Sequence, residues 1–208
     1  KGFTIKGAKI RLMMPKPALD GPASQNYQLY LSNRFSVVRQ MRYSTATEDR
    51  DNEIDLCILL NGLPLITVEL KNEGTNQNYH NGINQYRFNR SPINRMLRNC
   101  LVHFVIDNCY AFMTTKLNGE HTRFLPFNRD SVNPPIEGEY PTAYMWQEIF
   151  QADSLLDIIE HFIKRYKGDD GTPVVIFPRF HQLRAVRKMR KLAATEGPGH
   201  NYLIQHSA

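Results

Sequence analysis

The chain has 208 residues, enough for one sizeable domain or for one domain and part of a second. Hydrophobic residues make up 41% and aromatics 11%, which supplies a core and excludes a chain disordered by composition. No run of about 18 apolar residues is present to span a membrane. The 26 Lys and Arg against 20 Asp and Glu leave a net charge of +6, which suits a polyanion such as DNA without requiring one.

The cysteines, Cys57, Cys100 and Cys109, form no Cys-x-x-Cys pair, so the reading is a reduced, cytoplasmic protein rather than a disulfide scaffold. No signal-peptide pattern opens the chain, and Lys1 in place of Met reads as a trimmed start. Residues 1–24 are predicted to be irregular, because Pro15, Pro17, Gly21 and Pro22 break any pattern. Residues 26–31 read as a short helix, residues 35–41 as a strand and residues 45–52 as a polar turn. Ile54 to Leu60 is the clearest strand; Asn61-Gly62 is a hairpin signal, and Leu63 to Lys71 is the return strand. Residues 76–98 read as helix interrupted at Ser91-Pro92, and residues 101–106 as a buried strand. Residues 110–115 and 123–127 follow as further strands, and residues 128–142, with Pro134, Pro135 and Pro141, as a long loop.

A helix is predicted from Ser154, with Ser154 and Asp157 as a capping box. Its apolar stripe is Leu155, Ile158, Ile159, Phe162, Ile163 and Tyr166, and the glycines at 168 and 171 end it. A domain boundary is placed there, dividing the chain into 1–168 and 169–208. Residues 174–177 read as a strand, about 181–194 as a basic helix and 201–205 as a short terminal strand. The histidines are scattered without a His-x₃-His or Cys/His cluster, which argues against zinc. No Gly-x-Ser-x-Gly nucleophile elbow is present.

Glu69-Leu-Lys71 carries the chemistry. Strand side chains alternate, so Glu69 and Lys71 share a face and Leu70 takes the other. An exposed ion pair is the plain reading. The catalytic reading joins Glu69 to Asp55 on the preceding strand: two carboxylates can hold Mg²⁺, and a lysine beside them can orient water and stabilise developing charge. A strict two-residue turn at Asn61-Gly62 would put Asp55 opposite Val68 and turn Glu69 away. Convergence therefore requires one extra residue, either a three-residue loop from Asn61 to Leu63 or a β-bulge, which Pro64 favours because it cannot donate to a ladder. Beyond this strand, Gln85, Tyr86, Arg87 and Arg90 lie on a predicted helix from which they could contact a DNA backbone, though a solvated helix face is the simpler reading.

Several segments together resemble the N-terminal nuclease region of the R subunit of type I restriction-modification enzymes. They are Asn33-Arg34, Val38-Arg-Gln40, Ile54-Asp-Leu56, Glu69-Leu-Lys-Asn72 and Gln85-Tyr-Arg87, followed by Leu101-Val-His-Phe104, Phe112-Met-Thr-Thr115, residues 123–128, residues 177–186 and residues 201–208. The resemblance implies a PD-(D/E)xK fold, an α/β mixed sheet flanked by helices, followed by the start of a RecA-like helicase motor. It implies Asp55 and Glu69 as Mg²⁺ ligands and Lys71 as a catalytic group, with double-stranded DNA as substrate. A subgroup of such nucleases carries Gln-xxx-Tyr after the active strand, whereas here Gln85 and Tyr86 are adjacent. In the family, a strand ending His-Ser-Ala precedes a Gly-Ser-Gly-Lys phosphate loop, and the sequence here stops at Ala208, just before the position of that loop. Gln182 resembles an adenine-reading glutamine of such an ATP-driven motor, with an ordinary helix N-terminus as the alternative. Methyltransferase and specificity subunits are the implied partners. A repair-type nuclease and a non-catalytic DNA-binding module are the rival readings; the segment from Phe177 to Ala208 argues against the first and the intact Asp/Glu/Lys set against the second.

Overall fold

The computed structural model describes residues 2–5, 8–44, 52–168 and 171–205; the polar turn predicted at residues 45–52 falls almost wholly outside the described residues. The central element is a mixed six-stranded sheet in the order β3-β4-β5-β6-β7-β8. Its strands are β3 (Phe35–Arg42), β4 (Glu53–Leu60), β5 (Leu63–Leu70), β6 (Val102–Ile106), β7 (Ala111–Thr114) and β8 (Leu125–Pro126). Only β5 and β6 are parallel. A parallel pair needs a crossover, and here α2 (Tyr79–Phe88) and α3 (Arg95–Asn99) provide it, separated at the predicted Ser91-Pro92 break.

The crossover explains the two apolar clusters on either face of β5 and β6. Ile66 and Val68 of β5 and Phe104 of β6 join one cluster with Leu155, Ile158, Phe177, Phe180 and Leu183. Val105, one residue along β6, joins Ile83, Tyr86 and Leu97 of the crossover helices in another. Every residue of β6 is buried, as expected of a strand covered on both faces. Phe104 anchors the first cluster, with edge-to-face rings of Phe127, Phe150 and Phe177 at 5.3, 5.5 and 5.8 Å.

Three predicted elements differ. Residues 1–24 contain a hairpin, β1 (Gly2–Ile5) with β2 (Ala8–Arg11); the breaking prolines all lie after it, and residues 12–24 are irregular. The helix predicted from Ser154 begins earlier as α4 (Ala152–Asp157), so Ser154 is no cap. Its hydroxyl instead accepts from Arg187 Nη2 at 2.9 Å. The helix then widens into a π-turn over Ile158–Phe162 and gives way to β9 (Lys164–Lys167), which leaves Tyr166 exposed. Residues 201–205 are not a strand. By contrast α1 (Gln25–Leu31), capped by Ser24, lies where predicted, as do β10 (Pro173–Ile176) and α5 (Phe180–Glu196).

The position expected for a domain boundary lies in the connection between β9 and β10, which pair with each other. Phe177, Phe180 and Leu183 beyond it are buried in the same cluster as β5 and β6, and Arg187 and Arg190 of α5 both bond Asp157 of α4. Among the described residues no helix is long and apolar enough to cross a membrane.

This packing makes Phe180 part of the sheet's own core, against Tyr144 at 5.1 Å and Phe127 at 5.8 Å. Phe180→Ala is expected to lower the stability of the one cooperative transition by about 3–5 kcal/mol in urea denaturation. An unchanged midpoint would contradict it.

Candidate active site

The hairpin between β4 and β5 answers the register question. Asn61 and Gly62 have φ of +50° and +81°, as a tight two-residue hairpin turn demands. Asn61 is tied down as well, its Oδ1 accepting from Arg34 N at 2.8 Å and its Nδ2 donating to the Leu12 carbonyl at 2.9 Å. Leu60 pairs with Leu63 and Leu59 with Pro64, but Ile58 pairs with Ile66, so Leu65 is skipped. The three-residue loop is therefore not used; the bulge is. Its carbonyl is satisfied by Leu101 N at 2.7 Å. From there Cys57 pairs with Thr67 and Leu56 with Val68, so the next position in the same register sets Asp55 against Glu69.

The side chains meet. Lys71 Nζ lies 3.9 Å from Asp55 Oδ2 and 3.9 Å from Glu69 Oε2. Asp55 is the open member, its side chain 38% exposed, while Glu69 is fully buried. The backbone N–H of Leu70 donates to Asp55 Oδ2 at 2.7 Å and holds that carboxylate against β5. Glu69 Oε1 accepts from Arg90 Nε at 3.0 Å and from Arg90 Nη2 at 2.7 Å. Glu69 Oε2 is buried without a hydrogen-bond partner. Burial pushes the Glu69 carboxyl up to about 7 and the neighbouring Asp55 adds to the rise, while Arg90 and then Lys71 pull the other way.

A buried carboxylate oxygen without a hydrogen bond is costly, and Lys71 Nζ links it to a second carboxylate that is open to solvent. Two hard oxygen donors, one of them open to solvent, fit a small divalent cation of the Mg²⁺ type, which keeps several waters. Among the described residues no three His, Cys, Asp or Glu side chains gather into a group that could hold a metal, here or elsewhere, so this cluster brings two carboxylates and no third such ligand.

Of the residues predicted to face DNA from the helix, the structure turns several inward. Tyr86 is fully buried; its hydroxyl lies 2.7 Å from Thr67 Oγ1, which lies 2.6 Å from His103 Nδ1. Arg90 is 3% exposed and committed to Glu69, to the Glu53 carbonyl at 2.6 Å and to the Asn89 carbonyl at 3.3 Å. Arg87 donates to the Thr122 carbonyl at 3.1 Å, and Gln85 is half-buried. Tyr86 and Arg90 thus support the site from behind, and their burial excludes them from a DNA-facing surface. Gln182 is exposed on the first turn of α5, where its Oε1 accepts from Arg179 N at 3.0 Å.

Two supporting features escaped the sequence reading. The Arg90–Glu69 pair spans 21 positions, and no local pattern announces it. Gly82 did leave a signal, since glycine inside a helix is unfavourable by about 1 kcal/mol relative to alanine. A Cβ at Gly82 would meet Val105 Cγ1 at 2.5 Å and Lys71 Cγ at 3.5 Å. Gly82 lets α2 lie directly on β6 and beside the lysine stem. It also occupies the place four residues before Tyr86 where a Gln-xxx-Tyr motif would put its glutamine, a side chain this packing cannot admit.

A family model described as type I restriction enzyme R protein N terminus matches residues 20–125, a span that holds Asp55, Glu69, Lys71 and Arg90. A protein of Methanocaldococcus jannaschii named "Putative type I restriction enzyme MjaVIIIP endonuclease subunit" is 26% identical over 174 residues. That match covers 78% of this chain and 15% of the relative, so the chain spans a small part of that protein's length.

Gly82→Ala is expected to lower stability by about 1–3 kcal/mol in urea denaturation, because overpacking against Val105 outweighs the better helix propensity. A stabilised variant would contradict the close approach. His103 tests the buried network behind Glu69. Burial lowers the imidazole to about 4, against the opposing hydrogen bond with the Leu97 backbone. Its folded value lies below its unfolded one, so the unfolded chain takes up protons first, and this contribution is lost as pH falls from about 6.5 towards 4. In an NMR titration the ring of His103 should stay neutral through 6.5; a midpoint at that ordinary value would contradict its burial.

Proposed function

Since the chain belongs to the type I restriction enzyme R protein N-terminus family, we propose that Asp55, Glu69 and Lys71 form the Mg²⁺-dependent DNA-cleaving site of an R subunit, on a sheet of the PD-(D/E)xK kind. The observation that carries this reading is the position of Lys71 Nζ, 3.9 Å from an oxygen of each carboxylate, the Glu69 oxygen being buried and without a hydrogen bond. The family, the pairing register and the burial of Glu69 support it together.

Asp55 and Glu69 would hold the cation, each from a fixed place: Asp55 pinned by Leu70 N, Glu69 by Arg90. A divalent cation bound there supplies Lewis acidity and lowers the pKa of a water at the phosphodiester. Lys71 has the other task. Its stem is confined beside Gly82 and its side chain is 9% exposed. The ammonium is held 3.9 Å from both carboxylates, where it would orient the attacking water and stabilise charge growing on the phosphate oxygens. A preorganised donor of this kind costs no reorganisation at the moment of reaction.

The proposal extends to the complete subunit. Cleavage there would follow ATP-driven translocation along double-stranded DNA by a RecA-like motor. Target recognition would come from the specificity and methyltransferase subunits, so this site cuts with little sequence preference of its own. For Gln182 to read adenine with its amide oxygen, it would exchange its present bond to Arg179 N for one to the base.

In the complete R subunit assembled with its partner subunits, Asp55→Ala and Lys71→Ala are each expected to reduce Mg²⁺-dependent cleavage by about 10²-fold or more, with ATP hydrolysis unchanged. Variants that still cut at the original rate would refute the assignment.

A further inference from the structure

We propose that Arg90 sets how Glu69 can hold a cation: it saturates Oε1, leaves Oε2 as a single-oxygen ligand, and so tunes the site to a small octahedral ion over a larger one such as Ca²⁺. This rests on the metal site proposed for Asp55 and Glu69. Arg90 acts through Glu69 and is a positioning residue.

The geometry is specific. Arg90 Nε and Nη2 both donate to the same oxygen, Glu69 Oε1, at 3.0 and 2.7 Å. A carboxylate oxygen has two lone pairs, so those two bonds fill Oε1, and the guanidinium charge lies on its outer side. A cation chelated by both oxygens of Glu69 would have to displace Arg90. The guanidinium is itself held from three directions, by the Glu53 carbonyl at 2.6 Å, the Asn89 carbonyl at 3.3 Å and the Tyr43 ring 5.7 Å from its centre. Oε2 faces the opposite way, buried and without a hydrogen bond. It is the one oxygen of Glu69 left to coordinate.

Denticity discriminates between cations. Mg²⁺ demands near-ideal octahedral geometry with short bonds, whereas Ca²⁺ takes about 6–8 oxygens and commonly uses both oxygens of a carboxylate. A lysine at position 90 would keep the charge but lose the planar fork that fills both lone pairs.

The test measures Mn²⁺ affinity by electron paramagnetic resonance, as the probe for the small ion, and Ca²⁺ affinity by competition. Outer-shell changes of this kind weaken metal binding by about ten- to a hundredfold. Arg90→Lys is expected to lose Mn²⁺ affinity in that range while Ca²⁺ affinity falls far less, so the Ca²⁺/Mn²⁺ ratio rises about tenfold. Tyr43→Leu, which removes the ring beside Arg90 and leaves Glu69 and Arg90 in place, should move the ratio the same way by a smaller factor. It carries the test if Arg90→Lys shows no cooperative melting. Parallel weakening of both ions, with the ratio unchanged, would overturn the inference and leave the metal site standing. If Asp55→Asn binds Mn²⁺ as tightly as the unaltered chain, the metal site and this inference fall together.

Discussion

One extra residue in β5 determines where the rest of that strand points. Up to Pro64 the hairpin follows the register of its tight turn, and from Ile66 onward it runs one residue out of step. In a strand of period two, that shift exchanges the faces of every residue beyond Leu65. Without it Ile66 and Val68 would lose their places beside Phe104 and Phe177, and Glu69 and Lys71 would point away from Asp55. The same step thus serves the apolar core on one face and the charged cluster on the other. Glu69 cannot be placed correctly without also placing Val68, so the site is as firmly held as the core.

The face that carries the site departs from the usual arrangement of polar outside and apolar inside. It buries Glu69, Arg90, Thr67 and His103, and burying charge is unfavourable unless each group finds a partner. Arg90 answers Glu69, and Thr67 answers both Tyr86 and His103. The crossover helices bring these partners, and Gly82 allows α2 close enough to deliver them. The exception is Glu69 Oε2, left unbonded beside Lys71. Satisfying every neighbour but this one oxygen leaves a carboxylate whose unmet need is directed into the site.

Much of this was legible in the amino-acid order. The alternation and apolar content of residues 35–41, 54–60, 63–71 and 101–106 identified the central strands, because burial on a pleated surface is a local pattern. The need for one irregular residue between Asp55 and Glu69 followed from arithmetic on the turn, and Pro64 indicated where. Its form, bulge or longer loop, depended on contacts with the distant Leu101 and on the ties of Asn61 to Leu12 and Arg34, which no local pattern contains. For the same reason Tyr86 and Arg90 read as surface groups. Their polar character was visible, but that Thr67 and Glu69 would satisfy them inside was a matter of tertiary packing. The early start of α4 and its widening into a π-turn reflect packing as well: Ser154 is drawn to Arg187 rather than to its own helix end.

The central claim is that the bulge brings Asp55 and Glu69 together to hold one cation, with Glu69 offering Oε2 alone. Anomalous diffraction from crystals of the protein soaked in Mn²⁺ tests this most directly. The account predicts a single strong peak in contact with the Asp55 carboxylate and Glu69 Oε2, with Oε1 still bonded to Arg90. A peak elsewhere, or none between these two carboxylates at saturating Mn²⁺, would contradict it.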